Sequence, residues 1–513
     1  MLTGDMLRRS AERFPGKPAI VRDERSISYA ELDALANRLA NALVATGLAK
    51  GAKAAIVSRN LPEYGVVFFG AARSGLVLVN VSILYAPDEL EFVLGKSDAE
   101  LVIYDEFVAA KVAAVRTRCP RVRGWVQIGG VPASGTTGFD AMVAGGAATP
   151  PAVGIADTDP FCMTYTGGTT GRPKGVLCDH RARAVTAHTV AMEEALDERD
   201  VVAIVTPLFH VAALNIMFQP AVLVGATTTL VTPWSPEKFL ETVARDKVTA
   251  AFMVPTQANA LVSSPAFDAA KLATWRKLSF AGAPMPDWVQ IEPKKRLPDL
   301  LLTQIYGQSE MGVLTSLRDW YLPAKLGSVG RQAYNVDVAL FSPDGKRVPP
   351  GTPGEIGSRG DNLMREYYNE PEQTAAFFKL GGGWGLTGDV GVMDEQGFVT
   401  LIDRAKDMLI SGGENVYPKE IEDVLYLLPQ VSEAAVFGVP DAKFGELPAA
   451  YLALKPGATL TEEDVVAHCR ARLAEFKRPR LVKFVTEFPK TPIGKIQKNV
   501  LKDPYWKDRG KKI

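Results

Sequence analysis

One stretch of the chain decides its chemistry and points to its fold: Tyr165-Thr166-Gly167-Gly168-Thr169-Thr170-Gly171-Arg172-Pro173-Lys174-Gly175. It follows the apolar residues 161–164, which predict the end of a strand. Four glycines let peptide N–H groups approach a ligand closely, and three threonine hydroxyls and the Lys174 ammonium add further donors. Such a donor-rich loop predicts a polyphosphate site. The alternative is an ordinary surface turn, which the length of the run disfavours.

This loop differs from the P-loop of nucleoside triphosphatases, which needs Gly-Lys-Ser/Thr after a glycine and four residues. Lys174 instead follows Pro173 and precedes Gly175, and no Ser or Thr is placed there to hold magnesium. The run resembles the phosphate-binding signature of the adenylate-forming superfamily. That superfamily includes acyl-CoA synthetases, carrier-loading adenylation domains and firefly luciferase.

Four further motifs follow in the order found in that superfamily. They resemble its Tyr-Gly-x-Thr-Glu segment, its Thr-Gly-Asp, its hinge with the glycine loop after it, and its C-terminal lysine motif. They are Gln304-Ile305-Tyr306-Gly307-Gln308-Ser309-Glu310, Trp384-Gly385-Leu386-Thr387-Gly388-Asp389, Asp403-Arg404-Ala405-Lys406-Asp407 with Ser411-Gly412-Gly413-Glu414-Asn415, and Pro489-Lys490-Thr491-Pro492-Ile493-Gly494-Lys495-Ile496. The likeness covers nearly the whole chain, which is identified as a member of the AMP-dependent acyl- or aryl-CoA synthetases.

The pattern of apolar residues predicts an α/β fold. Short β-branched runs alternate with helical patterns, which is typical of largely parallel sheets, and lie at 54–57, 77–81, 101–104, 201–206, 227–231, 250–254, 278–281 and 301–306. Ser28-x-x-Glu31 is a capping box that opens a helix, and residues 66–84 predict a helix followed by a buried strand. Residues 132–160 predict a long connection.

A chain of 513 residues exceeds one ordinary core, so more than one domain is expected. After Arg404 the pattern becomes that of a compact α+β unit, with helices opening at Pro418 and Thr461 and a strand at 431–439. We therefore predict a large N-terminal domain of layered α/β subdomains, a hinge and a small C-terminal lid domain, which the resemblance implies is mobile. Their bounds are 1–402, 403–407 and 408–513.

Composition excludes several classes of protein. With 47% apolar and 23% charged residues the chain is an ordinary globular protein, and its N-terminus lacks the apolar core of a signal peptide. Four cysteines without a Cys-x-x-Cys pair disfavour disulfides and zinc and fit the cytoplasm. Residues 470–513 contain 14 Lys/Arg and only 4 Asp/Glu. The basic residues are spaced among aromatic residues, which favours the phosphates of ATP and CoA as their partners over nucleic acid or a membrane. The oligomeric state stays open, a homodimer included.

The chemistry implied by the resemblance joins a carboxylate to AMP, because the free anion resists attack and offers no leaving group. Attack on the α-phosphate of MgATP brings two anions together, so the site must supply positive charge. Lys495 is the candidate for this role because of its Pro-x-Thr-Pro-x-Gly-Lys frame; the alternative is a solvated lysine. Acyl-AMP and pyrophosphate form first, and the thiol of coenzyme A then gives acyl-CoA and AMP.

The resemblance also assigns the nucleotide contacts. Glu310 matches the magnesium ligand, and Ser309 stands where the family usually has Thr. Tyr306 would stack on adenine, and Asp389 with Arg404 would hold the ribose; a core aromatic and a turn residue are the alternatives for Tyr306 and Asp389. The implied catalytic residues are Lys495, Ser309, Glu310 and His210. The implied ATP-binding residues are Thr166, Gly167, Gly168, Thr169, Thr170, Gly171, Lys174, Gly282, Ala283, Pro284, Gln304, Tyr306, Gly307, Ser309, Asp389, Arg404 and Lys495.

An uncharged acyl pocket is expected around His210, which stands where the family places an aromatic or histidine wall. A structural histidine is the alternative. No Arg or Lys is evident there to pair a second carboxylate, so aromatic or medium-chain monocarboxylic acids are preferred over dicarboxylic and amino acids. The other pocket residues are Val211, Ala212, Phe252, Ala281, Ile305, Gly307 and Val313.

Lys406 matches the hinge position of the superfamily, and the resemblance implies that the small domain turns there between two poses. In one pose Lys495 would serve adenylation, and in the other the face with Gly412 and Gly413 would line a channel for the CoA thiol. Resemblance to aryl-CoA ligases gives Phe444, Phe476 and Arg480 as candidates for holding the CoA nucleotide, although Phe476 could equally belong to the core.

Three other functions remain open at this point. An enzyme of this fold can stop at acyl-AMP or load a separate carrier protein, and a luciferase-like oxygenase shares the same architecture. A catalytically silent acyl- or nucleotide-binding protein is the alternative outside enzymes. The presence of Lys495, Glu310 and Asp389 argues against that silent protein.

Overall fold

The computed structural model describes residues 1–166, 173–282, 287–404, 407, 409–411, 414–441, 444–490 and 496–507. The chain forms two compact units: Met1–Val338 with Ser358–Gly385, and Ala339–Gly357 with Leu386–Ile513. It therefore passes from one unit to the other three times. The predicted domain boundary at 403–407 stays a prediction.

The α-helices of the described residues are numbered here in chain order. They are α1 (Thr3–Arg13), α2 (Tyr29–Ala45), α3 (Pro62–Ser74), α4 (Pro87–Lys96), α5 (Ala109–Val115), α6 (Phe139–Ala144), α7 (His180–Glu193), α8 (Val211–Ala213), α9 (Gln219–Val224), α10 (Pro236–Asp246), α11 (Pro255–Ser263), α12 (Asp287–Arg296), α13 (Pro371–Phe377), α14 (Pro418–Tyr426), α15 (Glu462–Arg470) and α16 (Lys498–Trp506). A π-helical turn (Leu214–Phe218) joins α8 to α9.

The strands are numbered in the same way. They are β1 (Pro18–Arg22), β2 (Arg25–Ser28), β3 (Lys53–Val57), β4 (Val77–Asn80), β5 (Ala99–Asp105), β6 (Gly124–Ile128), β7 (Thr137–Gly138), β8 (Pro160–Thr166), β9 (Lys174–Asp179), β10 (Val201–Ile204), β11 (Thr227–Leu230), β12 (Ala250–Met253), β13 (Lys277–Phe280), β14 (Leu301–Gln308), β15 (Gly312–Arg318), β16 (Arg331–Gln332), β17 (Asp337–Phe341), β18 (Gly354–Arg359), β19 (Glu366–Tyr367), β20 (Gly385–Met393), β21 (Val399–Arg404), β22 (Leu409–Ser411), β23 (Glu414–Val416), β24 (Val431–Asp441), β25 (Gly445–Leu454) and β26 (Leu481–Phe484).

Two large sheets build the first unit. The nine-stranded sheet has the order β16-β15-β14-β13-β12-β10-β11-β1-β2, and the eight-stranded sheet has the order β19-β9-β8-β4-β3-β5-β6-β7. The central strands of both pair in parallel, while β14–β15 and β8–β9 are antiparallel. Two smaller sheets follow the orders β17-β18-β20-β21 and β23-β22-β25-β24, with β26 on β25. The predicted α/β class is confirmed.

Local signals place most elements where the sequence predicts them. Ser28 and Glu31 form the predicted capping box at the start of α2, with the Ser28 N–H donating to Glu31 at 2.8 Å. All the predicted β-branched runs are strands, and the helix and strand predicted at 66–84 are α3 and β4. The predicted connection at 132–160 was partly wrong, because it contains β7 and α6.

In the nine-stranded sheet, the carboxyl ends of two strands differ from the prediction by two residues, and both lie beside the candidate site. β10 ends at Ile204 and not at 206, because the carbonyl oxygens of Val205 and Thr206 accept from side chains and not from a neighbouring strand. β14 continues past 306 to Gln308, because Gln308 still pairs with Gly312 across the hairpin to β15.

An aromatic cluster joins helices to the eight-stranded sheet inside the first unit. Phe68 on α3 lies 5.2 Å from Phe161 on β8 and 6.3 Å from Phe218 on the π-helical turn, ring centre to ring centre. His180 stacks on Phe161 at 4.6 Å, and burial lowers the pKa of its imidazole to about 4. His180 is therefore a neutral core histidine.

The four cysteines are all free and buried: Cys119, Cys162, Cys178 and Cys469. Across the described ranges, no helix combines the length and the apolar character that crossing a membrane demands. Among those same residues, no group of three or more His, Cys, Asp or Glu side chains could hold a metal ion.

Candidate active site

The carboxyl ends of the parallel strands β10, β12, β13 and β14 meet at one edge of the nine-stranded sheet. Ligands of α/β proteins bind outside such an edge, because the loops that leave the strands gather there. The predicted pocket residues lie on these strands, on the loops after them or on the adjoining hairpin: His210, Val211, Ala212, Phe252, Ala281, Ile305, Gly307 and Val313. The fold thus places residues that are far apart in sequence along one sheet edge.

His210 begins α8 after a turn that follows β10. Its backbone N–H donates to the carbonyl of Pro207 at 3.0 Å, and its ring Nδ1 accepts from the N–H of Ala212 at 3.2 Å. Because Nδ1 accepts a hydrogen bond, the neutral ring carries its proton on Nε2. The π-helical turn that follows at Leu214–Phe218 is of a kind that often occurs at functional sites.

The β14–β15 hairpin carries most of the second predicted motif. A bulge between Tyr306 and Gly307 shifts the register, and a Cβ at Gly307 would overlap the carbonyl oxygen of Gly312. Only glycine fits at that position for this reason. Ser309 and Glu310 form the turn of the hairpin and are half-buried, while Tyr306 is buried on β14.

Glu310 is held by a tyrosine from outside its hairpin. The hydroxyl of Tyr367 on β19 donates to Oε1 of Glu310 at 2.8 Å, and the ammonium of Lys174 lies 5.2 Å from the centre of the same ring. Burial and then the Glu310 charge raise the pKa of the Tyr367 phenol well above its usual value, so the phenol keeps its proton. A carboxylate, a phenol donor and an ammonium are therefore in one cluster.

The predicted phosphate loop lies in sequence between the antiparallel strands β8 and β9, which form the stem of a hairpin. Thr166 ends β8, Lys174 begins β9, and the two are register partners across the antiparallel pair. Tyr367 pairs with Val176 on the same β9, and the N–H of Tyr368 donates to the carbonyl of Gly175 at 2.8 Å. The stem is thus fixed next to the Glu310 cluster, while residues 167–172 lie outside the described part of the chain.

The predicted ribose pair lies in the second unit. Asp389 on β20 and Arg404 on β21 are direct register partners, and Asp389 is buried. The N–H of Asp389 donates to the hydroxyl of Thr387 at 3.0 Å, and Gly388 takes a positive φ of 72°. The two residues predicted to share one ligand are therefore neighbours in one sheet.

The amino-acid sequence matches the model of the AMP-binding enzyme family over residues 7–368. The chain belongs to the AMP-binding enzyme family. The model of the AMP-binding enzyme C-terminal domain also matches, over residues 420–495. This AMP-binding enzyme is an AMP-forming acyl-CoA ligase that uses ATP, Mg²⁺ and CoA, as its motifs predict.

Similar proteins support the same conclusion over the full chain. The long-chain-fatty-acid–CoA ligase FadD13 of Mycobacterium tuberculosis is 35% identical over 98% of both chains. Feruloyl-CoA synthase of an Amycolatopsis species is 35% identical over 96% of both chains. Among solved structures, ATP-bound MatB from Rhodopseudomonas palustris has a TM-score of 0.89 and 30% identity, and each chain is covered completely.

The cluster around Glu310 fits a magnesium–nucleotide complex of this AMP-binding enzyme. The bond from Tyr367 uses Oε1 of Glu310, and magnesium in nucleotide sites is commonly held by one or two carboxylates plus phosphate oxygens. The ion would neutralise phosphate charge and help orient the pyrophosphate leaving group. Glu310 would hold the ion, Tyr367 would orient that carboxylate through its hydrogen bond, and Lys174 would bring positive charge to the phosphates.

Several predicted residues lie outside the described part of the chain: Gly167, Gly168, Thr169, Thr170, Gly171, Ala283, Pro284, Lys406, Gly412, Gly413 and Lys495. For Arg404 the backbone alone is described. Phe444 and Phe476 are 39% and 36% exposed, so neither is a core residue. Arg480 is half-exposed, and its guanidinium lies 3.4 Å from Glu475.

Tyr367 is a residue of the Glu310 cluster that the sequence did not predict. This residue lies 57 positions beyond Glu310, and no motif identified above includes it. Its only local signal is the Tyr367-Tyr368 pair shortly before the Pro371 that opens α13. The strand pairing of β19 with β9, which brings it to the site, is not visible in the sequence.

Proposed function

We propose that this ligase activates an aromatic or medium-chain monocarboxylic acid. The observation that carries the proposal is the character of the candidate pocket residues along the edge of the nine-stranded sheet, which are apolar or glycine apart from His210. A second carboxylate would be buried there without a cation, which is strongly unfavourable. The relatives named for a long-chain fatty acid and for ferulate indicate that related pockets accept apolar chains and aromatic rings.

The first half-reaction in this proposal joins the acid to AMP. An oxygen of the acid attacks the α-phosphorus of ATP, the bond to the β-phosphate oxygen breaks, and pyrophosphate leaves. Lys495 would neutralise the charge shared by the acid and the α-phosphate. The phosphates would be bound by Thr166, Lys174 and Glu310, which the Tyr367 hydrogen bond and the β8–β9 register support. The adenine would stack on Tyr306. The ribose would be bound by Asp389 and Arg404, which are register partners. Gln304, Ser309 and Gly282 would complete the nucleotide site.

The second half-reaction transfers the acyl group to CoA. The thiol loses its proton, its sulfur attacks the acyl carbonyl, and AMP leaves with the electron pair of the broken bond. Phe444, Phe476 and Arg480 are proposed to hold the CoA nucleotide, because two exposed aromatic rings and a guanidinium suit stacking and phosphate binding. Gly412 and Gly413 would line the thiol channel, with Lys406 as the hinge.

The partners in this proposal are small molecules alone, and the location that we infer is the cytoplasm. Four free, buried cysteines support a reducing compartment. Whether two copies associate is a separate question for a sedimentation experiment.

A panel of carboxylic acids tests the substrate class. We expect CoA-dependent AMP release to be at least about tenfold faster, as kcat/KM, with cinnamic, benzoic or octanoic acid than with malonic acid or phenylalanine, because one unpaired buried charge costs several kcal/mol. The measurement is AMP release with and without CoA. A dicarboxylic or amino acid as the best substrate would contradict the proposal.

The same assay decides between CoA and a carrier protein. With the best acid, we expect thioester on CoA and none on an added phosphopantetheinyl carrier protein. Thioester on the carrier with none on CoA would favour the carrier-loading function. Pyrophosphate exchange without any thioester would favour an enzyme that stops at acyl-AMP.

Enlarging one residue of the candidate pocket tests where the acid lies. Ala281 follows β13 at the sheet edge and is half-buried, so Ala281→Val should narrow the pocket there. We expect kcat/KM for cinnamic acid to fall about tenfold and that for butyric acid to change less than about twofold, the size of discrimination that one or two methyl groups give.

The matched control for this test is Ala266→Val. Ala266 is also half-buried but packs against the apolar core beside α11. Any effect of this control should be the same for all acids, because added bulk in a core acts through stability. If Ala281→Val leaves the ranking of acids unchanged, the pocket has been placed wrongly.

A further inference from the structure

Asn60 connects the two sheets of the first unit beside the candidate pocket. It follows β3 of the eight-stranded sheet and is 6% exposed. Its Nδ2 donates to the carbonyl of Thr206 at 2.8 Å, and its Oδ1 accepts from the N–H of Leu208 at 2.7 Å. Both ends of one buried amide are therefore bonded to the loop that follows β10.

A second amide holds the same loop from the other side. Gln257 on α11 donates from Nε2 to the carbonyl of Val205 at 3.0 Å, and its Oε1 accepts from the N–H of Val254 at 3.3 Å. Residues 205–208 are thus bonded to side chains from both neighbouring segments. The turn that places His210 at the start of α8 begins at Pro207, inside this stretch.

The side chain of Asn60 does not cap the helix that follows it. α3 begins after Leu61, and its first turn shows no side-chain capping bond. The bonds of Asn60 cross 146 and 148 positions of sequence to reach the loop after β10. The polar contacts of the amide are thus directed at the backbone of residues 205–208 and not at local structure.

We propose that Asn60 is a positioning residue for the acid substrate, acting through the backbone of residues 205–208 and so through His210, Val211 and Ala212. The inference rests on the proposed acyl pocket. Losing the amide would leave a buried carbonyl and a buried N–H without partners, and the loop would move to satisfy them. A displacement of about 1 Å in groups that orient a substrate can cost about 10²-fold in rate.

The test compares Asn60→Ala with a matched control, Asn37→Ala, in the full-length enzyme. Asn37 is 2% exposed; it donates to the carbonyl of Ala148 at 2.9 Å and accepts from Arg73 at 2.7 Å, on α2. It matches Asn60 in residue type and burial. In both cases the change to alanine removes one hydrogen bond that the amide donates to a carbonyl and one that it accepts. The thermal midpoint of both variants reports the shared loss of stability.

We expect Asn60→Ala to raise KM for the best acid about tenfold, with KM for ATP within about twofold, and to change the ranking of acids. Asn37→Ala should leave both KM values and the ranking as in the wild type. Deuterium exchange of a peptide covering residues 205–212 should be faster in Asn60→Ala and unchanged in Asn37→Ala, because the N–H of Leu208 loses its acceptor.

Asn60→Ser provides a milder variant if the alanine variant does not fold. Its hydroxyl keeps a neutral polar group beside the carbonyl of Thr206 and the N–H of Leu208, so we expect an intermediate KM for the acid.

The inference is overturned if the Asn60 variants change kcat/KM for every acid by one common factor. That result is expected if Asn60 only stabilises the fold. Unchanged exchange in residues 205–212 would also overturn it. Its failure is distinct from that of the proposed substrate class, because the class is judged from the wild-type ranking. The inference is judged from variant-to-wild-type ratios, whichever acids the wild type prefers.

Discussion

Lys495→Ala is expected to lower the rate of acyl-AMP formation about 10³-fold, because it removes the positive charge where the acid and the α-phosphate meet. The same variant should convert preformed acyl-AMP and CoA to acyl-CoA at a rate within about twofold of the wild type, since in the proposed two-pose scheme the second half-reaction uses a different face of the C-terminal domain. Pyrophosphate exchange measures the first step, and thioester formation from synthetic acyl-AMP measures the second.

The control for this prediction is a lysine three positions away. Lys498 begins α16, and its ammonium lies 2.7 Å from Glu422, so Lys498→Ala removes an ammonium from the same region of the chain. We expect both half-reactions of this control to stay within about twofold of the wild type, because the Lys498 ammonium is paired with Glu422 and is not assigned to a substrate. If Lys495→Ala reduces both half-reactions equally, the scheme of two domain poses is wrong.

Glu310→Gln is expected to lower the rate of adenylation about 10²-fold and to raise the magnesium concentration needed for half-maximal exchange. The amide keeps the shape of the carboxylate but loses the charge that a hard cation prefers. Tyr367→Phe should also lower the rate of adenylation, by a smaller factor of about five to ten, because it removes one hydrogen bond to the charged Glu310. The measurements are pyrophosphate exchange against magnesium concentration, and ATP binding with and without magnesium.

Glu63→Gln is the matched control for the Glu310 variant. Glu63 is also half-buried, and its carboxylate accepts a hydrogen bond from Arg25. Arg25 lies on β2, at the end of the nine-stranded sheet away from the β14–β15 hairpin that carries Glu310. Its magnesium dependence should equal that of the wild type. A Glu310→Gln enzyme whose magnesium dependence is also normal would show that the carboxylate has another task.

Local features of the sequence were enough to predict most of the fold. The capping box at Ser28 and Glu31 and the β-branched runs each depend on near neighbours in the chain, and the structure has the corresponding elements. The end of β10 was predicted two residues too late, because the bonds that end it come from Asn60 and Gln257, which are far away in sequence.

The candidate site divides in the same way. Glu310 and Lys174 belong to motifs with recognisable spacing, so the sequence predicted them as site residues. Tyr367 reaches the site because β19 pairs with β9. Asn60 reaches it through hydrogen bonds from the eight-stranded sheet to the loop after β10. Neither arrangement leaves a local pattern in the sequence. Lone tyrosines and asparagines are common in any sequence, so only a three-dimensional arrangement can distinguish these two.

The division of the chain into units has a consequence for how the protein is made. The ribosome releases Glu310 before residues 339–357, which belong to the other unit, and releases Tyr367 only afterwards. β19 and its tyrosine therefore join an eight-stranded sheet whose other strands emerged much earlier. A nascent chain arrested near residue 340 would lack this edge strand, and its Glu310 would lack the hydrogen bond from Tyr367, so this contact forms late in synthesis.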